Sequence, residues 1–291
     1  MTGKLIKGIA GFYYIYAEGR IYECKARGKF RIKGQTPMVG DMVEVSEDTL
    51  STASDPSMLA GTVDSILPRL NEYDRPPIAN VEVCIIVAAA KDPEPLTYVI
   101  DRMAVSAELK NSEIVICINK EDLASPEDVA AIYEEIYPVF CVSAKTGEGL
   151  SELKEAIKGK QAALAGPSGV GKSSLTNALL GKNAEVGEIS KKTLRGKNTT
   201  RHSELFIAED VFLFDTPGFT SFETPELDET QLALYFPEFE KYLGKCRFDN
   251  CMHLNEPECA VKDAVREGKI QKSRYESYRT MFKELKDRKK Y

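Results

Sequence analysis

The chain has 291 residues, of which 43% are hydrophobic and 29% charged, and its formal net charge is −6. This length allows two or three domains and at least one sizeable core. The longest apolar run, Val83 to Ala90, is too short to span a bilayer, and residues 1–7 lack the apolar segment of a signal peptide. We therefore expect a soluble, cytoplasmic protein with no membrane partner.

Charge is distributed unevenly along the chain. Residues 71–225 are acidic, whereas residues 20–33 carry six basic side chains against one acidic one and residues 261–291 carry eleven against five. Basic flanks are typical of a protein that binds a polyanion with its outer parts, although a solvated basic helix produces the same pattern. Both interpretations remain open at this stage.

Residues 1 to about 68 are rich in predicted strands. Short apolar and aromatic runs alternate with Gly, Pro and Asp turns, and the runs are residues 8–16, 20–24, 30–32, 41–45 and 61–67. Five short strands fit an OB-like β-barrel over residues 1–70, a fold that often binds oligonucleotides through basic and aromatic side chains. The candidates are Tyr13, Tyr14, Tyr22, Arg27, Lys29, Phe30 and Arg31. About half of the aromatic residues would instead fill the barrel.

A polar, proline-containing segment, Leu70 to Pro77, predicts a domain boundary. Strands and helices alternate after it, as in an α/β domain with a mostly parallel sheet over residues 71–225. Strands are predicted at 81–90, 113–118, 138–142, 161–165 and 209–214, and helices at 96–110, 126–136, 150–157 and 174–180. Ligands of such sheets bind at the carboxyl ends of the strands.

A phosphate-binding loop is predicted between the strand 161–165 and the following helix. Gly166 to Ser174, GPSGVGKSS, matches the pattern G-x-x-x-x-G-K-[ST] in the strand-loop-helix context that the motif requires. Lys172 would reach the β- and γ-phosphates and Ser173 would bind Mg²⁺. The nucleotide-binding candidates of this loop are Gly166, Pro167, Ser168, Gly169, Val170, Gly171, Lys172, Ser173 and Ser174. A glycine-rich turn before an ordinary helix is the alternative.

Three further motifs follow other predicted strands. Asn119-Lys120-Glu121-Asp122 matches N-K-x-D, in which the Asp122 carboxylate accepts from guanine N1–H and N2–H₂ while Lys120 covers the purine and Asn119 braces the loop. Ser143, Ala144 and Lys145 match the S-A-K segment that backs the base. Asp215 to Gly218 matches D-x-x-G, in which Asp215 holds Mg²⁺ through water and the Gly218 N–H contacts the γ-phosphate. The four motifs together predict a GTPase that uses GTP, GDP and Mg²⁺.

The order of the motifs is permuted. In common GTPases the phosphate loop comes first, whereas here Asn119 and Ser143 precede Gly166, and Asp215 comes last. Joining the old termini and opening new ones preserves the same site, because termini of compact domains often lie close together. We therefore predict a circularly permuted GTPase domain.

The basic loop 191–202 has the composition of a switch segment, although an ordinary flexible loop would look similar. We assign Thr200 to Mg²⁺ binding. Phe219 stands where many GTPases place a water-orienting Gln. The water would then be oriented by His202, by Asn198 or by a group from a partner.

A candidate zinc site lies in the predicted helical domain 226–291. Cys246, Cys251, His253 and Cys259 supply four N and S ligands within fourteen residues, which fits a closed structural Zn²⁺ site. Free thiols or a disulfide are the alternative. Residues 260–291 follow as one or two basic helices.

With these motifs in this order, the sequence closely resembles the circularly permuted, ribosome small-subunit-dependent GTPases of the RsgA/YjeQ family. The resemblance covers essentially the whole chain. It implies a GTPase that acts late in maturation of the small ribosomal subunit, docks on its ribosomal RNA through the barrel and zinc domain, and couples subunit-stimulated hydrolysis to release. The family often has a histidine before the paired threonines, where this chain has Asn198.

Two functional hypotheses remain from the sequence. The first is a ribosome-assembly GTPase whose nucleotide cycle controls binding. The second is an RNA-binding module in which GTP only stabilises the fold. An ATPase would contradict the role of Asp122. In either case we expect the protein to be a monomer. Its expected partners are the small ribosomal subunit and the ribosomal RNA of that subunit, and we expect no DNA partner.

Overall fold

The computed structural model describes residues 1–27, 36–74, 76–181, 203–215 and 227–288. The predicted strand 30–32 and the segment 191–202 lie outside these residues, as does Gly218. The chain divides into two compact units. The described parts of the first are residues 1–84, 151–164 and 173–215, and those of the second are residues 85–150, 165–172 and 227–288.

The first unit begins with a closed five-stranded barrel. Its strands are β1 (Thr2–Ile9), β2 (Phe12–Ala17), β3 (Arg20–Ala26), β4 (Met42–Glu47) and β5 (Leu59–Ile66). Each of the pairs β1–β2, β2–β3, β4–β5 and β1–β4 is antiparallel, and β3 with β5 is parallel, so the ring of strands closes. Apolar side chains such as Ile15, Val43 and Val63 are fully buried. The predicted OB-like barrel is confirmed.

The single strand predicted over residues 8–16 is wrong. Two strands occupy this region, because Ala10 and Gly11 adopt positive φ angles of 51° and 85° and turn the chain between β1 and β2. The error has a physical cause: apolar residues continue through the turn, and Ala10 is not a residue type that signals one. Residue 2, rather than residue 8, therefore starts the barrel.

Three more strands extend the first unit beyond the barrel. They are β11 (Gln161–Ala165), β12 (Glu204–Ala208) and β13 (Val211–Asp215). β13 runs parallel to β11 and antiparallel to β12, and β12 in turn pairs with barrel strand β1. The prediction missed β12 because it extended β13 back to residue 209, across the turn of this hairpin. A short hairpin of β6 (Glu72–Asp74) and β7 (Pro77–Ala79) occupies the predicted polar connection.

The second unit holds the strands that carry the guanine motifs. In order across the sheet these are β10 (Val139–Val142), β9 (Glu113–Asn119) and β8 (Val83–Ala89). β8 is buried along its whole length, as its continuous apolar sequence predicts. The helices of the second unit in this region are α1 (Thr97–Leu109) and α2 (Glu127–Tyr133), whereas α3 (Leu150–Ala156) and α4 (Lys172–Leu180) belong almost entirely to the first unit.

The C-terminal region of the second unit is helical and has its own aromatic core. Two 3₁₀ helices, Glu229–Tyr235 and Pro237–Tyr242, precede α5 (Ala260–Arg266) and α6 (Lys272–Arg288). The ring centroids of Phe236 and Phe239 lie 5.1 Å apart, and Tyr278 packs edge-on within 5.2 Å of Phe239. Among the described residues, no helix combines the length and hydrophobicity needed to cross a bilayer.

A buried arginine joins this C-terminal region to α1. Arg274 of α6 is fully buried and donates to Asp101 of α1 at 2.7 Å and to Glu238 at 2.8 and 3.1 Å. Its guanidinium group also lies 4.8 Å from the Phe236 ring. Removing one partner of such a buried pair costs about 3–5 kcal/mol. This cation therefore fixes α6 against α1 within the second unit.

Candidate nucleotide site and metal cluster

The predicted phosphate loop connects β11 to α4 and requires glycine at two positions. A Cβ atom on Gly166 would lie 2.4 Å from the Val87 carbonyl oxygen, and one on Gly171 would lie 2.3 Å from Nδ2 of Asn119. Gly171 also has a φ of +98°, which side-chain-bearing residues rarely adopt. The motif glycines thus allow the strand ends to approach the loop closely.

Asn119 connects three of the four motifs. Its Nδ2 donates to the Val170 carbonyl oxygen of the phosphate loop at 2.8 Å, and its Oδ1 accepts from the Ala144 N–H at 3.0 Å. The side chain is 2% exposed, so an unmade bond here would leave a buried polar group without a partner. One side-chain amide therefore links the N-K-x-D segment to the S-A-K segment and to the phosphate loop.

Asp122 is held as a hydrogen-bond acceptor. Ser143 Oγ donates to its Oδ1 at 2.8 Å, and Lys145 Nζ lies 3.5 Å from its Oδ2. The Ser143 hydroxyl, followed by Lys145, lowers the pKa of the Asp122 carboxyl. An ionised carboxylate can accept from two donors at once, which is what the N1–H and N2–H₂ edge of guanine presents.

Two lysine side chains donate hydrogen bonds to main-chain carbonyl oxygens of the phosphate loop. Lys120 donates from Nζ to the Gly169 carbonyl oxygen at 2.7 Å and to the Asp92 carbonyl oxygen. Lys172 donates to the carbonyl oxygens of Gly166 and Pro167 at 2.7 and 2.8 Å. Burial lowers the pKa of Lys172. An anionic phosphate beside the ammonium group would stabilise its protonated form and so raise this pKa again.

Asp92 contacts Lys120 but belongs to none of the four sequence motifs. It lies on the loop after β8, and its main-chain carbonyl oxygen accepts from Lys120, the residue predicted to cover the purine. The available signal was positional, since the loop follows the carboxyl end of a buried strand. It was missed because a main-chain carbonyl has no sequence signature.

The other predicted nucleotide-site residues lie on the phosphate loop, at the end of β13 or outside the described residues. Ser168, Ser173 and Ser174 are exposed, Pro167 is half-buried, and Ser173 lies in the first turn of α4. Asp215 is the last residue of β13. The switch and water-orienting candidates lie outside the described residues, and they are Asn198, Thr200, His202 and Gly218.

The predicted zinc ligands form one cluster. One ligand atom from each of Cys246, Cys251, His253 and Cys259 lies within 4.8 Å of all the others. His253 Nδ1 is 3.5 Å from Cys246 Sγ and 3.4 Å from Cys259 Sγ, and these two sulfurs are 3.8 Å apart. Three thiols and one imidazole at these separations fit a tetrahedral site for Zn²⁺.

Helix α6 supports the loop that carries these ligands. Tyr275 Oη donates to the His253 carbonyl oxygen and Tyr278 Oη to the Met252 carbonyl oxygen, both at 2.8 Å. Burial raises the pKa of Cys251 to about 12, so without a cation this thiol keeps its proton. Metal binding would therefore release protons from the cluster.

Comparison with known families decides the identity of the fold and its chemistry. A family model described as the RsgA GTPase matches residues 66–225, and one described as the RsgA N-terminal domain matches residues 2–53. The chain belongs to the RsgA GTPase family. As a member, it is a hydrolase that acts on GTP.

Relatives and solved structures of the family match the chain from end to end. It is 43% identical to "Small ribosomal subunit biogenesis GTPase RsgA" of Agathobacter rectalis, with 100% of both chains covered, and 45% identical to the Alkaliphilus metalliredigens protein of that name, with 99% of both covered. YjeQ from Thermotoga maritima superposes with a TM-score of 0.82 at 38% identity, covering 98% of each chain. YloQ, described as a circularly permuted GTPase, gives 0.81 at 34% identity, with 99% of this chain and 95% of that chain covered.

Proposed function

We propose that this protein binds the small ribosomal subunit and assists its late maturation, hydrolysing GTP with subunit-stimulated turnover that is coupled to release. The observation that supports guanine recognition best is the Asn119 side chain, which joins the base-reading loops to the phosphate loop. The relatives' names, which describe small ribosomal subunit biogenesis, support the biological role. In this proposal residues 71–225 form the nucleotide-binding domain, residues 1–70 the RNA-binding barrel and residues 226–291 the zinc domain.

Each described nucleotide-site residue has a distinct role in this proposal. Asp122 accepts from the guanine edge, and Lys120 covers the base while Ser143, Ala144 and Lys145 support it from behind. The N–H groups of the phosphate loop and the Lys172 ammonium bind the phosphates, with the positive end of α4 behind them. Adenine should be rejected, because it presents no pair of N–H donors to the Asp122 carboxylate where guanine presents N1–H and N2–H₂.

Two metals complete the proposal. Ser173 fits Mg²⁺ because its exposed hydroxyl lies in the first turn of α4, beside the phosphate-binding Lys172. Asp215 and Thr200 are its proposed protein partners. When bound, Mg²⁺ neutralises charge that develops on the β- and γ-phosphates. The cluster of Cys246, Cys251, His253 and Cys259 holds one structural Zn²⁺.

The remaining assignments concern catalysis and partners. Asn198, His202 or a group from the subunit orients the water, and the Gly218 N–H contacts the γ-phosphate. Tyr13 and Tyr14 of β2 are partly exposed and available to ribosomal RNA, whereas Tyr22 is 3% exposed and fills the barrel. We propose that the protein acts as a monomer in the cytoplasm, where subunits are assembled, and has no DNA partner.

The test is GTP hydrolysis by the purified protein with and without purified small ribosomal subunits. Large subunits and ATP are the controls, and a Lys172→Ala variant measures contaminating activity. We expect strong stimulation by the small subunit alone. An equal rate with and without subunits would contradict the proposal and favour an RNA-binding module in which GTP only stabilises the fold.

A further inference from the structure

Two loops of the second unit meet at Lys120, and each of them continues into a helix. The loop 90–96 accepts a hydrogen bond from Lys120 Nζ through the Asp92 carbonyl oxygen and leads into α1. The N-K-x-D loop contains Lys120 itself and the proposed base reader Asp122, and it leads into α2. The placement of α1 and α2 therefore influences the placement of both loops.

The two helices meet α6 at a buried carboxylate. Oδ1 of Asp101 in α1 accepts from Nη1 of Arg274 in α6 at 2.7 Å and from Oη of Tyr133 in α2 at 2.9 Å. The Arg274 guanidinium group also lies 5.8 Å from the centre of the Tyr133 ring. Each of these three residues is 0% exposed, so solvent does not readily substitute for the bonds between them.

Arg274 is shared between two buried carboxylates. Its Nη1 donates to Asp101, while its Nε and Nη2 donate to Glu238 at 2.8 and 3.1 Å. Burying a charge is costly unless it is paired, and removal of Arg274 would leave both carboxylates without this cation. They would then have to move, take up protons or admit water. Each of these changes would alter the bond between Asp101 and Tyr133.

We propose that Arg274 is a positioning residue for base recognition, which acts through Asp101 and Tyr133 to hold α1, α2 and the loops that meet at Lys120 in place. The inference rests on the proposed function, in which Asp122 accepts from the guanine edge. It assigns to the C-terminal helix α6 a part in nucleotide selection. Every residue in this series of contacts belongs to the second unit. Arg274 is fully buried and does not itself contact nucleotide.

The experiment measures the dissociation constants of GDP and inosine diphosphate for the full-length protein by calorimetry. Inosine lacks only the N2 amino group of guanosine, so the inosine constant divided by the guanosine constant reports the Asp122 contact, while the ribose and phosphate contacts cancel. Arg274→Met should lower this ratio by about threefold or more, because displaced loops hold Asp122 less accurately against the base. Arg274→Lys keeps the charge but not the planar fork, and should lower the ratio less.

Tyr133→Phe is the milder second variant, because it removes only the hydrogen bonds of the Tyr133 hydroxyl and keeps both ion pairs of Arg274. It should lower the ratio by about twofold. Arg279→Met is the matched control: this α6 arginine is half-exposed and pairs with Glu276 of the same helix at 3.0 Å, so its loss should leave the ratio unchanged. Thermal unfolding and metal content show whether each variant is folded. If Arg274→Met does not fold, Arg274→Lys and Tyr133→Phe decide the outcome.

Equal weakening of both nucleotides leaves the ratio unchanged, and this result in the folded Arg274 or Tyr133 variants would overturn the inference. Asp122→Asn separates the inference from the proposal on which it rests. A lowered ratio in Asp122→Asn together with the wild-type ratio in Arg274→Met would overturn the role of Arg274 alone. An unchanged ratio in Asp122→Asn would overturn the base-reading assignment of Asp122 and the role of Arg274 with it. Subunit-stimulated hydrolysis, measured separately, does not depend on either result.

Discussion

The N-K-x-D and S-A-K loops and the cysteine-histidine cluster both contain buried polar side chains, but these side chains have different kinds of partner. Asn119 uses its donor and its acceptor within the protein, on Val170 and Ala144. In the cluster the thiols and the imidazole face mainly one another, at 3.4 to 3.8 Å. Hydrogen bonds within the protein therefore hold the N-K-x-D and S-A-K loops together, whereas we predict that the cluster needs a cation for its stability.

The largest effect should follow from removing a cluster ligand. Cys259→Ser should abolish metal binding and unfold the region around α5 and α6, because structural Zn²⁺ contributes on the order of 10 kcal/mol to such modules. Metal content and near-ultraviolet circular dichroism measure this loss. Cys141→Ser, outside the cluster, is the control and should retain the metal. If Cys259→Ser lost its metal but kept its fold, the stability of this region would not depend on a cation.

The next largest effect should come from the tightest contact of the phosphate loop. Gly171→Ala places a Cβ 2.3 Å from Asn119 Nδ2 on a residue with φ +98°. We expect GDP affinity, measured by calorimetry, to fall by about 100-fold or more, since small displacements of positioned groups have effects of this size. Gly181→Ala is the control, because it has positive φ but no atom within 4 Å of the new Cβ. Equal losses in both variants would point to backbone strain alone.

Removing the connecting amide should have a smaller effect. Asn119→Ala leaves the Val170 carbonyl and the Ala144 N–H without their partner, at about 1–3 kcal/mol for each buried group. Water can replace part of the two lost hydrogen bonds, so GDP affinity should fall by roughly ten- to a hundredfold, which corresponds to about 1.4–2.8 kcal/mol. The metal content should be unchanged. Asn177→Ala, on an exposed position of α4, is the control. Normal GDP affinity in Asn119→Ala would mean that the loops do not need this side chain.

The smallest effect should concern the pH dependence of base recognition. Ser143 lowers the pKa of Asp122, so Ser143→Ala should raise that pKa toward its ordinary value. Guanine binding needs the ionised carboxylate and is lost as pH falls through this pKa; the loss should therefore occur at higher pH in the variant. GDP titrations across the acidic range measure the shift, with Ser151→Ala as control. Superimposable pH profiles would show that Ser143 does not set the charge of Asp122.

Much of the fold was predictable because its signals are local. Continuous apolar runs identified β8 and β9, and glycine patterns identified the phosphate loop. Errors arose where the local signal was weak or misleading. The β1–β2 turn lacks a typical turn residue at Ala10, and β12 is separated from β13 by only two residues. The candidate cluster was predictable from its ligand spacing alone.

The sequence by itself determined the chemistry of this protein, because motif residues carry their functional groups wherever the chain places them. The order of the motifs and the spacing of the cluster ligands were sufficient to indicate a permuted GTPase with a metal module. Only the tertiary structure decided which distant residues come into contact. Asn119 meets Val170 and Arg274 meets Asp101 over separations of 51 and 173 residues. Such pairs have no local signature, since packing alone brings them together.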